Sequence, residues 1–160
     1  MKKYIYFIYI IFISNTLFSQ SIKQPKNATF VNCSECQLGN IVISDDAKFN
    51  KFSTVKVSST PYDNLMVGVY NEIDVKIIDL EGTHFRKGNT VITEGVTYVK
   101  YNSENGLIKK GDLITSSSTK GTAMKAIKSG IILGIALEDA KKPEGFVKIR
   151  VMIQYIIFNN

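Results

Sequence analysis

The sequence predicts an all-β fold: a compact sandwich, roll or barrel of short strands. Three observations carry this. Short apolar or alternating runs recur along the chain, Gly-marked turns separate them at intervals of roughly 8 to 12 residues, and helical periodicity is almost absent.

The runs come in order. Residues 20–32 are polar, contain Pro25, and read as a leader or a first edge strand. Ile41-Val42-Ile43 is the first clear strand, and Thr54-Val55-Lys56-Val57 alternates. Leu65 to Tyr70 reads as buried and contains Gly68, and Ile73 to Ile78 starts as an alternation. Thr90-Val91-Ile92 and Val96 to Tyr101 follow, then Leu113-Ile114, Met124 to Ile127, and the strongly apolar Ile131 to Leu137. Phe146 to Phe158 ends the series, alternating as VKIRV from Val147 to Val151. Turns are expected at Glu81-Gly82, Lys87-Gly88, Glu94-Gly95, Lys110-Gly111 and Ser129-Gly130, with a type I′ turn at Asn105-Gly106. One weak helix candidate spans Glu138 to Lys142, ended by Pro143.

A faint repeat runs through these elements. GNIVIS (39–44) matches GDLITS (111–116), VKV (55–57) matches MKA (124–126), and MVGV (66–69) matches ILGI (132–135). The expectation is two similar β-modules packed together.

The N-terminus has a separate character. Lys2 and Lys3 precede an unbroken apolar run from Tyr4 to Ile13, and Leu17-Phe18-Ser19 stands before Gln20. A basic start, a short apolar stretch and a small residue at the cut make a secretory signal peptide over 1–19. The run is too short for a bilayer, which takes about 20 residues. The expected organisation is a signal peptide at 1–19, a leader at 20–37 and a single β-rich domain at 38–158. The mature chain is then exported, to a periplasm, a cell surface or the medium, with no membrane span after cleavage.

Composition narrows the function classes. The chain has 160 residues, 44% of them hydrophobic and 21% charged, which fits one ordinary globular domain. Net charge is +6, from 20 Lys and Arg against 14 Asp and Glu. Without Lys2 and Lys3 it is 18 against 14, or +4, spread thinly. That excess is no nucleic-acid signature. Cys33 and Cys36 are the only cysteines. With the lone His84 they fall short of a four-ligand zinc site. The turn-and-strand sequence after them, QLGNIVIS, does not suit a redox C-x-x-C at a helix start. A short-loop disulfide or two free thiols remains.

Residues 106–126, GLIKKGDLITSSSTKGTAMKA, look most like chemistry. A phosphate-binding loop needs GxxxxGK and Ser or Thr before a helix, and the order here is wrong. Ser116, Ser117, Ser118 and Thr119 lack a G-x-S-x-G elbow, which leaves a Ser-Lys dyad with Lys120 or Lys125. The letters fit a β-hairpin or β-arch better: a Gly111-Asp112 turn, a polar tip, and Met124 packing inward with Ala123 and Lys125 on the other face. No catalytic, cofactor or metal residue is assigned.

The order YDNLMVGVY (62–70), VTYVKYNSENGLIKKGDLITSSSTKGTAMKA (96–126), GIILGIALED (130–139) and GFVKIRVMI (145–153) resembles a β-rich domain. That domain lies at or near the C-terminus of phage neck-appendage and tail-fibre proteins and of related bacterial surface proteins. The likeness covers roughly 38–153. Its signature falls on Gly106, Gly111, Asp112, Ser116, Gly121, Met124, Lys125 and Gly134. In the phage members it implies an intramolecular chaperone that helps trimeric fibres assemble, and in some members self-cleavage. A homotrimer is therefore expected, with a surface protein or glycan as partner. A signal peptide is foreign to fibres assembled in the cytoplasm. The expected role is thus a non-enzymatic structural, assembly or binding domain. The alternatives are an autoproteolytic or serine-type peptidase, and a carbohydrate- or surface-binding module using Tyr62, Tyr70, Tyr98 or Tyr101.

The exported protein, sequenced from its N-terminus, should begin at Gln20. Retention of residues 1–19 would mark an uncleaved anchor.

Overall fold

A computed structural model describes residues 28–44, 48–50, 52–79 and 82–158. The expected signal peptide at 1–19, and 20–27 of the expected leader, lie outside these.

Ten strands and no helix form the described chain: β1 (Ala28–Phe30), β2 (Ile41–Ile43), β3 (Lys56–Val57), β4 (Met66–Asp79), β5 (Gly82–Ile92), β6 (Glu94–Asn102), β7 (Leu113–Ser116), β8 (Ala123–Lys125), β9 (Gly130–Ala136) and β10 (Glu144–Ile156). The first five make a sheet in the order β1-β5-β4-β2-β3, and the last five close into a barrel, β10-β6-β8-β7-β9. The all-β expectation holds. Ala28–Phe30, placed in the leader by the sequence, pairs with β5 and is part of the sheet.

The two halves share one body plan. β2 pairs β4 as Ile41↔Val69 and Val42↔Gly68, and β7 pairs β9 as Leu113↔Ile135 and Ile114↔Gly134. β2 also pairs β3, as β7 pairs β8, and β4 pairs β5, as β9 pairs β10. Ala28-Thr29-Phe30 lies against Ile92-Val91-Thr90, as Val96-Thr97-Tyr98 lies against Arg150-Ile149-Lys148. The parallel β6–β8 contact that closes the barrel has a counterpart in the single parallel bridge Asn32–Thr54, between the chain after β1 and the chain before β3. Even the turns repeat. Asn40 Oδ1 accepts from Gln37 N at 2.8 Å, as Asp112 Oδ2 accepts from Lys109 N at 2.8 Å. Gly39 N donates to Tyr70 O, as Gly111 N donates to Ala136 O. The repeat read from GNIVIS and GDLITS is therefore a repeat of structure. Only the VKV–MKA match is shifted, because Ser58 N bonds Ile41 O where Ala126 N bonds Leu113 O.

One core spans both modules. Ile41, Met66 and Val69 of the first join Val99, Ile114, Leu133, Val147, Ile149 and Val151 of the second. A smaller cluster under the first sheet holds Val31, Val42, Val55, Tyr70 and Val91, with Cys33 and Cys36 packed against it.

Four local expectations fail. The turns expected at Lys87-Gly88 and Glu94-Gly95 are paired strand residues instead, the first inside β5 and the second opening β6. The Glu138–Lys142 stretch is a loop, because its polar groups are claimed from elsewhere: Lys148 N donates to Glu138 Oε1, Lys110 N to Asp139 Oδ1, and Ala140 N to Ile108 O. At Asn105-Gly106 only Gly106 has positive φ, and Gly106 N closes the turn on Ser103 O. A type I′ turn needs positive φ at both central residues, so the turn is of another type. Asn105 instead sends its amide to Lys125 O and Met124 Sδ. On β8, Met124 is buried as expected, but Ala123 on the opposite face is buried too, against the shared core.

Gly68 and Gly134 occupy equivalent positions where a neighbouring strand crosses too closely for a side chain. A Cβ on Gly68 would stand 2.3 Å from Ile92 O, and one on Gly134 would stand 2.0 Å from Arg150 O. Gly134→Ala should therefore lower stability by about 3 kcal/mol or more, since backbone must shift. Gly106→Ala, at φ +91 with nothing within 4 Å, should cost only about 1–2 kcal/mol. Urea unfolding midpoints of the two variants check the difference.

Candidate functional site

The hydroxyl-rich loop after β7 is the first place to look for chemistry, and the structure puts it at the joint between the modules. Ser116 is fully buried. Its Oγ donates to Thr60 O at 2.8 Å and accepts from Asp63 N at 2.8 Å, both on the loop that joins β3 to β4. Ser117, also buried, is tied to Asn102, Thr119 and Thr122. Ser118 caps outward, its N and Oγ both donating to Glu104 Oε2 at 2.9 Å.

The lysines of the loop point to other partners. Lys125 Nζ pairs with Asp112 Oδ1 at 3.0 Å, and Lys120 Nζ with Glu35 Oε2 at 2.7 Å. The Lys120 hydrogen bond, helped by the Val57 backbone, holds the Glu35 carboxyl below its usual range. For Ser116 to act as a nucleophile it would have to release Thr60 and Asp63. For either lysine to act as a base it would have to leave the carboxylate it is paired with.

Of the remaining signature positions, Gly106, Gly111 and Asp112 stand in or beside turns, Met124, Lys125 and Gly134 in strands, and Gly121 in the joint. A Cβ on Gly121 would stand 2.4 Å from Asn40 Nδ2 and 2.7 Å from Val57 Cγ1, and Gly121 N donates to Ser58 O. Tyr62 holds the other side of the joint. It sits at φ 54, a strained value for a bulky residue, while its hydroxyl accepts from Ile127 N and Lys128 N. Cys33 and Cys36 are bonded as a disulfide beside the smaller core cluster.

Of the four tyrosines that could have formed a binding platform, Tyr70 and Tyr101 are buried and Tyr62 is in the joint. Burial pushes the Tyr70 hydroxyl pKa up. Tyr98 alone is outward, 51% exposed on β6. Beside it, on β10, Phe146 is 50% exposed. The register places Phe146 opposite Lys100, Lys148 opposite Tyr98, and Arg150 opposite the exposed Val96. Lys148 Nζ lies 5.9 Å from the Tyr98 ring centroid. In the first module the equivalent aromatic, Phe30, stacks on Phe52 with centroids 6.3 Å apart. At the end of this face an open groove of about 870 Å³ is lined by Lys100, Asn102, Glu104, Lys142 and Phe146.

Phe146 was not singled out from the sequence. The signal was there: the alternation that buries Val147, Ile149 and Val151 puts Phe146, Lys148 and Arg150 on the opposite face.

Comparison with protein-family models, with curated proteins and with solved structures found no match to this chain. The resemblance to phage appendage domains rests on the quoted motifs alone.

Ser116→Ala should lower stability by about 1–3 kcal/mol, because it leaves the buried Asp63 N–H without a partner. Ser118→Ala, at an exposed cap, should stay within about 0.5 kcal/mol. Thermal unfolding distinguishes this structural role from a purely chemical one, which would leave stability unmoved.

Proposed function

We propose that the protein is an exported, non-enzymatic structural or binding module. It works at the cell envelope or outside the cell, and its outer β6–β10 face meets a glycan of that surface. One observation carries the reading: Tyr98 and Phe146 stand half-exposed on adjacent strands, interleaved with Lys100, Lys148 and Arg150. Aromatic rings with one apolar face and a wet rim suit the CH-rich face of a sugar ring. The flanking cations suit its hydroxyls and any carboxylates. The signal-like 1–19 segment and the Cys33–Cys36 disulfide support the exported compartment.

The peptidase reading has less to stand on. Ser116, Ser117, Lys120 and Lys125 are all engaged in structural contacts.

Two measurements test the proposal. The purified protein should keep its intact mass through long incubation. A cut near 116–118 that disappears in the triple Ser→Ala variant would make it a self-cleaving peptidase. In co-sedimentation with purified envelope polysaccharide, the Tyr98→Ala, Phe146→Ala double variant should bind at least about tenfold more weakly, a loss of about 1.4 kcal/mol. Because Phe146 also lies against Gly39, an unchanged circular dichroism spectrum is the check that the variant stays folded. Equal binding by the variant, or none by the parent, would sink the glycan reading.

A further inference from the structure

The shared body plan makes one departure conspicuous. In the second module β9 ends at Ala136, and the stretch Glu144–Lys148 of β10 lies along β6. In the first module β4 and β5 run on. β2 last bonds β4 at Tyr70, through Gly39 N, and β1 last bonds β5 at Asn89, through Val31 N. Beyond these points the register continues from Glu72↔Asn89 through Asp74↔Lys87 and Val75↔Arg86 to Asp79↔Gly82. Among the described residues no third strand pairs with this ribbon. At about 3.4 Å per residue it projects roughly 25–30 Å.

A lone two-stranded ribbon is marginal in water, and each of its edges presents a row of backbone donors and acceptors ready for another strand. The two edges differ. β5 carries Arg86 and Lys87 side by side in sequence, so pairing β5 with itself about either residue sets like charges opposite. β4 reads Ile73-Asp74-Val75-Lys76-Ile77. Turned end for end about Val75, this segment matches itself. Val75 meets Val75, Ile73 meets Ile77, and Asp74 meets Lys76, on both sides of the axis; outside these five residues Glu72 falls opposite Ile78. Centring on Asp74 or Lys76 instead places like charges opposite. A one-residue slip sets apolar positions against charged ones.

We infer that the β4 edge of this ribbon pairs antiparallel with β4 of a second copy, about a two-fold axis through Val75, to make a four-stranded sheet. The pairing is isologous, so it closes at two chains and leaves no growing edge of the same kind. The ribbon already carries an ion pair. Asp74 Oδ1 lies 2.9 Å from Lys87 Nζ, at a register position next to the axis. The inference does not depend on what the β6–β10 face binds.

Charge exchange tests it. Sedimentation equilibrium of the mature protein across the micromolar range should show a dimer. Asp74→Lys and Lys76→Asp should each weaken it at least about tenfold. The Asp74→Lys, Lys76→Asp double variant should restore it. An equimolar mixture of the two single variants should also dimerise, because each then faces its opposite. Unfolding midpoints of parent and single variants should converge as the protein is diluted below the dimer range. Val75→Cys should cross-link to itself under mild oxidation, since facing Cα atoms on the axis stand about 4.5–5.5 Å apart, within disulfide range. A monomeric parent at tens of micromolar, a trimer, a dimer indifferent to the single substitutions, or an uncrosslinked Val75→Cys would each overturn the two-fold pairing.

Discussion

Strand β2 is buried on both faces, and the molecule is organised around it. Ile41 and Val42 are both fully inaccessible. Ile41 packs into the core shared with the barrel, while Val42 packs into the smaller cluster of its own sheet. The backbone follows the same division: Ile41 N donates to Gly121 O across the joint, and Ile41 O accepts from Ser58 N within the sheet. A module of some sixty residues buries too little surface to be secure alone. Sharing one strand's two faces between two such modules lets each complete the other. It also explains the unbroken apolar IVI, where a one-sided strand would have alternated.

The loops that weld the modules follow from that arrangement. Once β2 is held in place, the tip after β7 must pass close to Asn40 and Val57, which is why position 121 has no room for a side chain. Ser116 then finds its partners on the first module, at Thr60 and Asp63. Residue types that suit a nucleophile also suit a tight, dry joint, because a small hydroxyl can satisfy a buried N–H and a buried C=O at once. The outward surface of β6 and β10 is only partly drawn in: Lys100 Nζ donates to Gln37 Oε1 and the Phe146 ring lies against Gly39, while Tyr98 and half of Phe146 remain in contact with water.

Much of the fold was legible in the sequence because it is local. Alternation marked Val147, Ile149 and Val151, and turn glycines marked Gly39 and Gly111. The paired MVGV and ILGI placed Gly68 and Gly134 in equivalent strands. What was not legible depends on residues far apart in the chain. Nothing near Asn105 announces that its side chain will be drawn to Lys125, or near Glu138 that it will cap Lys148. The match of ATF to VTY is too short to stand out until strand pairing aligns it. The site was the least legible part. The serine run attracts attention by composition, whereas exposure of Phe146 depends on which face of the last strand the barrel encloses.

The shared core also sets an order of events during synthesis. The first module emerges first, yet Ile41, Met66 and Val69 face a cluster whose other members lie between Val99 and Val151. Until the last strand has left the ribosome, those side chains have no interior to enter. The barrel closes through its own five strands. The N-terminal half is therefore made with three of its apolar side chains uncovered, and they stay uncovered until the C-terminal half arrives.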